Sequence, residues 1–551
     1  SQSCTTRLMA NKDLTPYDLA LLIQFYSGAT GAPAEGAEIV AAPIQPSVHW
    51  NYAMKCDVPE VASRQYANPL VTDHNLMPMI KRWEAMSYSI DRRVTDFNRT
   101  TRKPPTAIQK YAVEFVNLVV PENGVGVPLT LEETAAMLNK PSQVTAIQQI
   151  WETIDAKHRT NIESFMKNEP TNKAGRIISS FPDAKYLLKF SSFTLQFRNN
   201  VLHAPHNRHW FCPGNTPKQI AKMVQNYCAH LGELDKPLEG DYSNFDGTVT
   251  KWCQEHVMNA VYHRWFRQEY MQELRGYTSG LVSSPATTKR FGFKYDPGFG
   301  VKSGSPTTCD LNSVLNGFVM YAAVRTAEPT YTPSMCFQQI GLAFGDDSLF
   351  RQGYKSQFIR VAKQLSLTLK PEPYCPEMGV TFLARVFPDP VNTLTSFQDP
   401  LRTWRKLHLT ARDPNIPLAD AAMDRVEGYL VMDPHTPITS DFCRMVQRNY
   451  LNSAASLEER RKRVSNGKEK PYWLTEGGSW PQSQEDVPLM LQCISKRVGL
   501  DEPDLIALQN QLRMCADVWS DYTVNRGEVQ HPWTGTVDPH GYPAETEVDE
   551  R

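Results

Sequence analysis

Apolar residues recur at helical spacing through long parts of this chain. Val257, Met258, Val261, Tyr262 and Trp265 predict an amphipathic helix between Val249 and Leu274. Leu311, Val314, Leu315, Phe318 and Ala322 predict a second helix with one apolar face. A helical pattern also runs from Leu129 to Phe165, opened by Thr130 with Glu133 three residues on, the spacing of a capping box. Trp83 to Val119 carries a mixed helical pattern, and the chain from about residue 390 onward reads as mostly helical. Shorter apolar runs read as strands. Leu342-Ala-Phe344 and Ser348-Leu-Phe350 flank Gly345-Asp346-Asp347, a hairpin with carboxylates at its tip. A strand ends near Asp241, and Phe291–Tyr295 and Phe299–Lys302 flank the turn signal Asp296-Pro-Gly298. Residues 1–80, rich in Pro and Ala, read as an irregular layer laid over other parts, and an acidic tail begins at about Asn525.

At 551 residues the chain has length for several domains. Apolar content of 41% and charged content of 21% exclude a disordered chain. A net charge of −1 removes any argument from overall charge to nucleic acid, so such binding has to come from local basic clusters. Eleven cysteines, none in a CxxC pair, read as reduced thiols. No run of eighteen apolar residues occurs. The chain begins at Ser1 without a signal-peptide pattern, which suggests a piece or processed product of something longer, with any membrane contact outside it.

The chemistry lies in three stretches in fixed order. In Asp241-Tyr-Ser-Asn-Phe-Asp246, Asp241 at a strand end can face the hairpin tip, so that Asp241, Asp346 and Asp347 converge. Carboxylates so placed suit two Mg²⁺ ions, hard cations that take oxygen ligands and clamp both oxygens of a phosphoryl transfer. Asp246 lies further on and reads as a hydrogen-bonding partner for a ribose. In Ser303-Gly-Ser-Pro-Thr-Thr-Cys-Asp-Leu-Asn312, Gly304 permits a close backbone approach, while Thr308 and Asn312 share a helix face four residues apart. Asn312 has both donor and acceptor, as a 2′-hydroxyl does. Upstream, Lys167, Lys173 and Arg176 surround Glu169, a set suited to triphosphate charge.

Other signals are weaker. His203, His206, His209 and Cys212 recur at every third position, but a single ten-residue run fits poorly around a tetrahedral zinc. Arg460-Arg-Lys-Arg463 follows Glu458-Glu459 and reads as a charged helix face, with product-strand contact the alternative. Tyr472, Trp473 and Trp480 suit either base stacking or pinning a loop.

Taken in order, the D-x4-D, SG-x3-T-x3-N and GDD motifs resemble those of viral RNA-dependent RNA polymerases, and the chain resembles in particular the polymerase region of insect nodavirus replicases. Lys167, Glu169, Lys173 and Arg176 are similar to that family's basic nucleotide-entry motif, and Thr381-Phe-Leu-Ala-Arg385 to its primer-grip hairpin, which implies that Arg385 touches primer or product. The resemblance implies an α/β (α+β) right-hand fold with a small antiparallel palm sheet backed by helices. The parts would be an N-terminal extension over fingers and thumb at 1–80, fingers at 81–230, palm at 231–250 and 291–387, shared helices at 251–290, a helical thumb at 388–524 and the acidic tail at 525–551. It implies Mg²⁺, replaceable by Mn²⁺, on Asp241, Asp346 and Asp347, sugar reading by Asp246, Ser303, Gly304, Thr308 and Asn312, and Lys370 as proton donor to pyrophosphate. Partners would be template and nascent RNA, nucleoside triphosphates and further copies of the chain, in host cytoplasm at the mitochondrial outer membrane, held there by segments absent from this chain. A reverse transcriptase and a membrane-bound RNA-binding scaffold are the competing readings, and Asn312 argues against the first.

Overall fold

The computed structural model describes residues 64–71, 83–95, 103–167, 175–289, 294–372, 374–465 and 478–525, with a few isolated positions outside these runs. Lys173, the Tyr472–Trp473 pair and the tail beyond Asn525 lie outside the described residues.

A central helix, Thr308–Ala327, organises the first core. Its buried positions run unbroken from Asp310 to Val324, so it is enclosed on all sides and not along the one face that the spacing predicted. Small residues make that possible. A Cβ on Gly317 would stand 2.9 Å from the Trp210 ring, so only glycine lets the ring lie against this helix. Phe115 completes the wall, its centroid 6.0 Å from Trp210 and 5.6 Å from Phe318.

Against this helix lies an antiparallel three-stranded sheet in the order Pro237–Gly240, Asp347–Arg351, Leu342–Phe344. Gly240 pairs with Ser348, and Phe344 with Asp347. A five-stranded sheet contains Ile162–Met166 and Ile177–Ser180, paired antiparallel, and a three-stranded one contains the hairpin Val380–Phe382 and Arg385–Phe387. The architecture is thus mixed helix and sheet with small antiparallel sheets, the fold class expected.

A second core, mostly helical, gathers Val386, Phe397, Trp404, Val426, Phe442, Ile494 and Leu512. Residues 64–71 lie on it. Tyr66 donates its amide to His408, Asn68 to Val518, and Val524 donates back to Leu70. Among the described residues no disulfide forms and no helix is long and apolar enough to cross a membrane.

Three expected elements are corrected. The helical pattern from Leu129 stops short: the capping box at Thr130 and Glu133 forms, but the helix ends at Met137, a second spans Pro141–Ile150, and Phe165 lies in a strand. The helix expected through Val249–Leu274 breaks after Trp265 because Val125 and Gly126 donate to the Trp265 carbonyl and Arg267 donates to Gly126, an intruding strand segment that captures the backbone. Lys294–Tyr295 is a strand, but Phe299–Lys302 is not.

Candidate active site

The sheet register delivers the acidic residues. Asp241 follows Gly240 directly, at the strand end beside Asp347, and a Cβ on Gly240 would strike the Ser348 hydroxyl at 2.2 Å. Gly345 and Asp346 form the two-residue turn between Phe344 and Asp347, with Gly345 at φ +58°. The tip is held from the central helix. Ser313 accepts the Gly345 amide at 2.7 Å, and the Asn316 amide group donates to the carbonyls of Gly345 and Asp347. Sequence reasoning passed over Ser313 and Asn316. Their signal was polarity at two positions beyond Asn312 on a helix otherwise packed with apolar side chains.

Burial pushes the Asp346 carboxyl above the ordinary carboxylate range, and the nearby Asp241 adds to the rise. The Asp347 carboxyl is pushed up to about 7 by burial, against the Leu383 amide that hydrogen-bonds it, with Asp346 and Asp241 adding repulsion. Glu239 is raised to about 8 by burial and by Asp347 and Glu372. These acids are crowded, with Arg176 and Arg402 offsetting only part of the rise that burial and mutual repulsion cause, and all their donors are hard oxygens. That set fits Mg²⁺, which binds through one or two carboxylates and completes its shell with water and phosphate. Asp241 and Asp346 would hold it. Asp347 is placed differently from expectation: its carboxylate accepts the Leu383 amide at 2.8 Å, and among the described residues no group of three or more acidic, His or Cys side chains is arranged to hold a metal.

The raised acids give a stability prediction. A carboxyl whose folded pKa exceeds its unfolded value contributes stability fully present below the unfolded pKa and lost as pH rises through the folded one. Glu239→Gln is therefore expected to raise the melting temperature at about pH 8.5 and to leave it nearly unchanged at about pH 4, measured by thermal melts across that range.

Asp246 and Asn312, which the resemblance assigns to one sugar, lie in contact. The Asn312 amide nitrogen donates to an Asp246 carboxylate oxygen at 2.8 Å. Burial carries the Asp246 carboxyl up to about 6, opposed by the Asn312 bond and assisted by Asp346. The other end of Asn312, its Oδ1, is buried and has no hydrogen-bond partner among the described residues. Ser303 and Thr308 each commit a hydroxyl hydrogen to backbone. Ser303 accepts the Ser179 amide and donates to the Ile177 carbonyl, and Thr308 donates to the Lys302 carbonyl at 3.0 Å. Gly304 makes the expected close approach: its amide donates to Ser179, and a Cβ there would lie 2.8 Å from that carbonyl.

Arg176 holds Glu169 through two 2.6 Å bonds, and Lys167 stands 3.8 Å from the same carboxylate. Asp346 and Asp246 add to the raised pKa of Arg176, so this strand pair reaches over the acids. Lys167, Arg176, Asp246, Lys302 and Ser303 line one cavity of about 300 Å³. Lys370 is exposed, and its amide donates to the Asp241 carbonyl at 2.8 Å.

Arg385 is corrected. It is 3% exposed, its guanidinium pairs with Asp433 at 2.9 Å, bonds Ser396 and the Met432 carbonyl, and lies over Trp480, so it braces the second core and offers nothing to RNA. The polar face near the site instead carries Arg402 and Lys406, four residues apart, which the sequence reading missed. Arg402 acts on Asp347 and Lys167, and Lys406 is pulled down to about 8 by burial and by Arg402 and Arg425. The histidines each take a backbone carbonyl: His203 that of Pro213, His206 that of Val119, His209 that of Phe337. Of the basic run, Arg460 pairs with Asp424 and Glu427, and Arg463 with Asp420, so these two tie their helix to Leu418–Met432.

A carboxylate hairpin on a three-stranded sheet is thus backed by a buried helix that carries the Asn312 amide beside Asp246. Residues 181–405 match the family described as viral RNA-dependent RNA polymerase. The chain is similar over its length to nodavirus RNA-directed RNA polymerases. Identity is 55% over 552 residues to that of Nodamura virus (strain Mag115), covering 100% of this chain and 52% of that protein. It is 52% over 550 residues to that of Macrobrachium rosenbergii nodavirus, with 100% and 52% covered, and 46% over 524 residues to that of Flock house virus, with 95% and 52% covered. The chain spans about half the length of these relatives. The family match begins after Lys167 and Arg176, whose roles rest on the geometry above.

Proposed function

We propose that this chain catalyses RNA-templated RNA synthesis, in which a nascent 3′-hydroxyl attacks the α-phosphate of a nucleoside triphosphate and pyrophosphate leaves. The observation that carries the reading is the Asp246–Asn312 pair beside Asp346: a buried Asn312 oxygen without a donor is what a ribose 2′-hydroxyl satisfies. Lys167 and Arg176 would exchange part of their bonding to Glu169 for the triphosphate, aligning it with the acids. Two Mg²⁺ ions on Asp241 and Asp346, with Mn²⁺ as substitute, would supply charge neutralisation of the attacking and leaving oxygens. Lys370, whose backbone is tied to Asp241, would give its proton to the departing pyrophosphate.

The test is incorporation of labelled UTP by this chain on an adenine-rich RNA template, with and without primer, in Mg²⁺ and in Mn²⁺. Absence of template-dependent product under all four conditions would sink the reading. The reverse-transcriptase alternative is disfavoured by the same Asn312 oxygen, which a deoxyribose leaves unpaired. Asn312→Ala is expected to cut the preference for UTP over dUTP by roughly 10²-fold or more, read from the two kcat/KM values. The nodavirus likeness also supports a setting in host cytoplasm at the mitochondrial outer membrane, as a multimer acting on template and nascent RNA. Blue-native electrophoresis and cell fractionation of the full-length protein address that setting.

A further inference from the structure

The loop before Ser303 is built around a buried cation. Lys302 is 2% exposed, and its ammonium donates to the carbonyls of Gly298 and Gly300 at 2.7 Å each and of Val282 at 3.3 Å. An ammonium carries three donors, and burying it is tolerable only when acceptors replace its water. Val282 is the last residue of the helix Met271–Val282, whose carbonyl end carries partial negative charge and favours a cation. The side chain thus gathers one helix end and two loop carbonyls around itself, and the loop is wrapped over it.

What that loop touches gives Lys302 its consequence. Val301 donates its amide to the Asp246 carbonyl at 2.8 Å, and a Cβ on Gly300 would stand 2.9 Å from the same carbonyl oxygen. On the other side the Lys302 carbonyl accepts the Thr308 hydroxyl and the Ser305 amide, at the start of the helix that carries Asn312. Both members of the sugar-reading pair are therefore referenced to one backbone segment, and the Lys302 ammonium sets that segment's curvature.

We propose that Lys302 is a positioning residue for sugar selection, fixing Asp246 relative to Asn312 through the Gly298–Lys302 loop without touching the nucleotide. This rests on the polymerase reading above. Without the ammonium, the Gly298 carbonyl loses that donor and the Gly300 carbonyl keeps the Gln254 amide at 3.4 Å, so the loop relaxes and Val301 shifts against Asp246. A displacement of this size at a reading group costs discrimination before it costs overall fold.

The experiment compares kcat/KM for UTP and dUTP on one primed RNA template for wild type and Lys302→Met, with thermal melts of both. The expected result is a fall in ribonucleotide preference of about tenfold or more, carried mainly by a lower kcat/KM for UTP. A ratio equal to that of wild type, whatever happens to melting temperature or to the absolute rate, overturns the proposal, because a purely structural role lowers both substrates alike. Should Lys302→Met fail to fold, Gly300→Ala presses on the same Asp246 carbonyl with the ammonium left in place, and its ratio decides by the same criterion. If wild type itself incorporates neither nucleotide, the polymerase reading has failed and the proposal falls with it. If wild type is active and the variant's ratio is unchanged, this proposal alone has failed.

Discussion

Asp346→Ala is expected to lower nucleotide incorporation by about three orders of magnitude or more while leaving the protein folded. The residue stands at the tip of a two-residue turn whose backbone is held from the central helix by Ser313 and Asn316, partners that remain when its side chain is removed. Its carboxyl is raised above the ordinary range by burial and by Asp241, which means that the ionised form is disfavoured in the folded state. Removing it therefore relieves repulsion on Asp347, whose own carboxyl feels the same charge. The melting temperature at neutral pH should hold or rise as activity disappears. A paired measurement of primed incorporation and thermal denaturation checks both halves. A variant that keeps its activity removes Asp346 from the chemistry, and one that melts far earlier means the residue is structural.

The second large effect is expected where the sequence pointed to RNA. Arg385→Ala should destabilise the protein by about 3–5 kcal/mol, because it strands Asp433 in the interior with an uncompensated charge. Asp433 is 0% exposed, and it also accepts the Gln398 amide and the Thr436 hydroxyl, so the loss spreads into the segment that joins the hairpin to the helical core. Denaturant unfolding followed by tryptophan fluorescence would report it, since Trp480 lies over the guanidinium. A residue that touched primer would behave in the opposite way, with intact stability and weaker RNA binding that depends on salt.

The contrast between these two residues shows what was legible beforehand. Asp241 and Asp346 could be read because strand ends and tight turns are local: apolar runs of fixed length and a Gly-Asp pair define them without knowledge of the rest. The Asp246–Asn312 contact was not itself read beforehand, since each residue was assigned to the sugar separately and the two stand 66 positions apart. Arg385 was misread because a hairpin's position in the order says nothing of which face its side chains take, and a one-residue change of facing separates an RNA contact from a core brace. Thr308 and Ser303 are a different case. Their hydroxyls were correctly placed in the neighbourhood, but the backbone carbonyls that claim them come from Lys302 and Ile177, one a turn away and one on another sheet. Lys302 itself was read as the end of a strand, and the ammonium-centred loop that replaced that strand leaves no pattern in hydrophobicity.

The contacts of residues 64–71 with the far end of the chain carry a consequence in time. Val71 bridges Val524 in parallel, and Tyr522 bonds Asn68 across 454 positions of sequence. During synthesis the early segment emerges long before its seat exists: at roughly 5–20 residues per second, the wait is on the order of half a minute or more. Until the residues of the helical core emerge, Tyr66, Leu70 and Val71, all destined for the interior, have no native surface to cover. The helical core is closed by two segments far apart in the sequence, so its completion waits for Tyr522, and a chain interrupted before Tyr522 would keep that seam open.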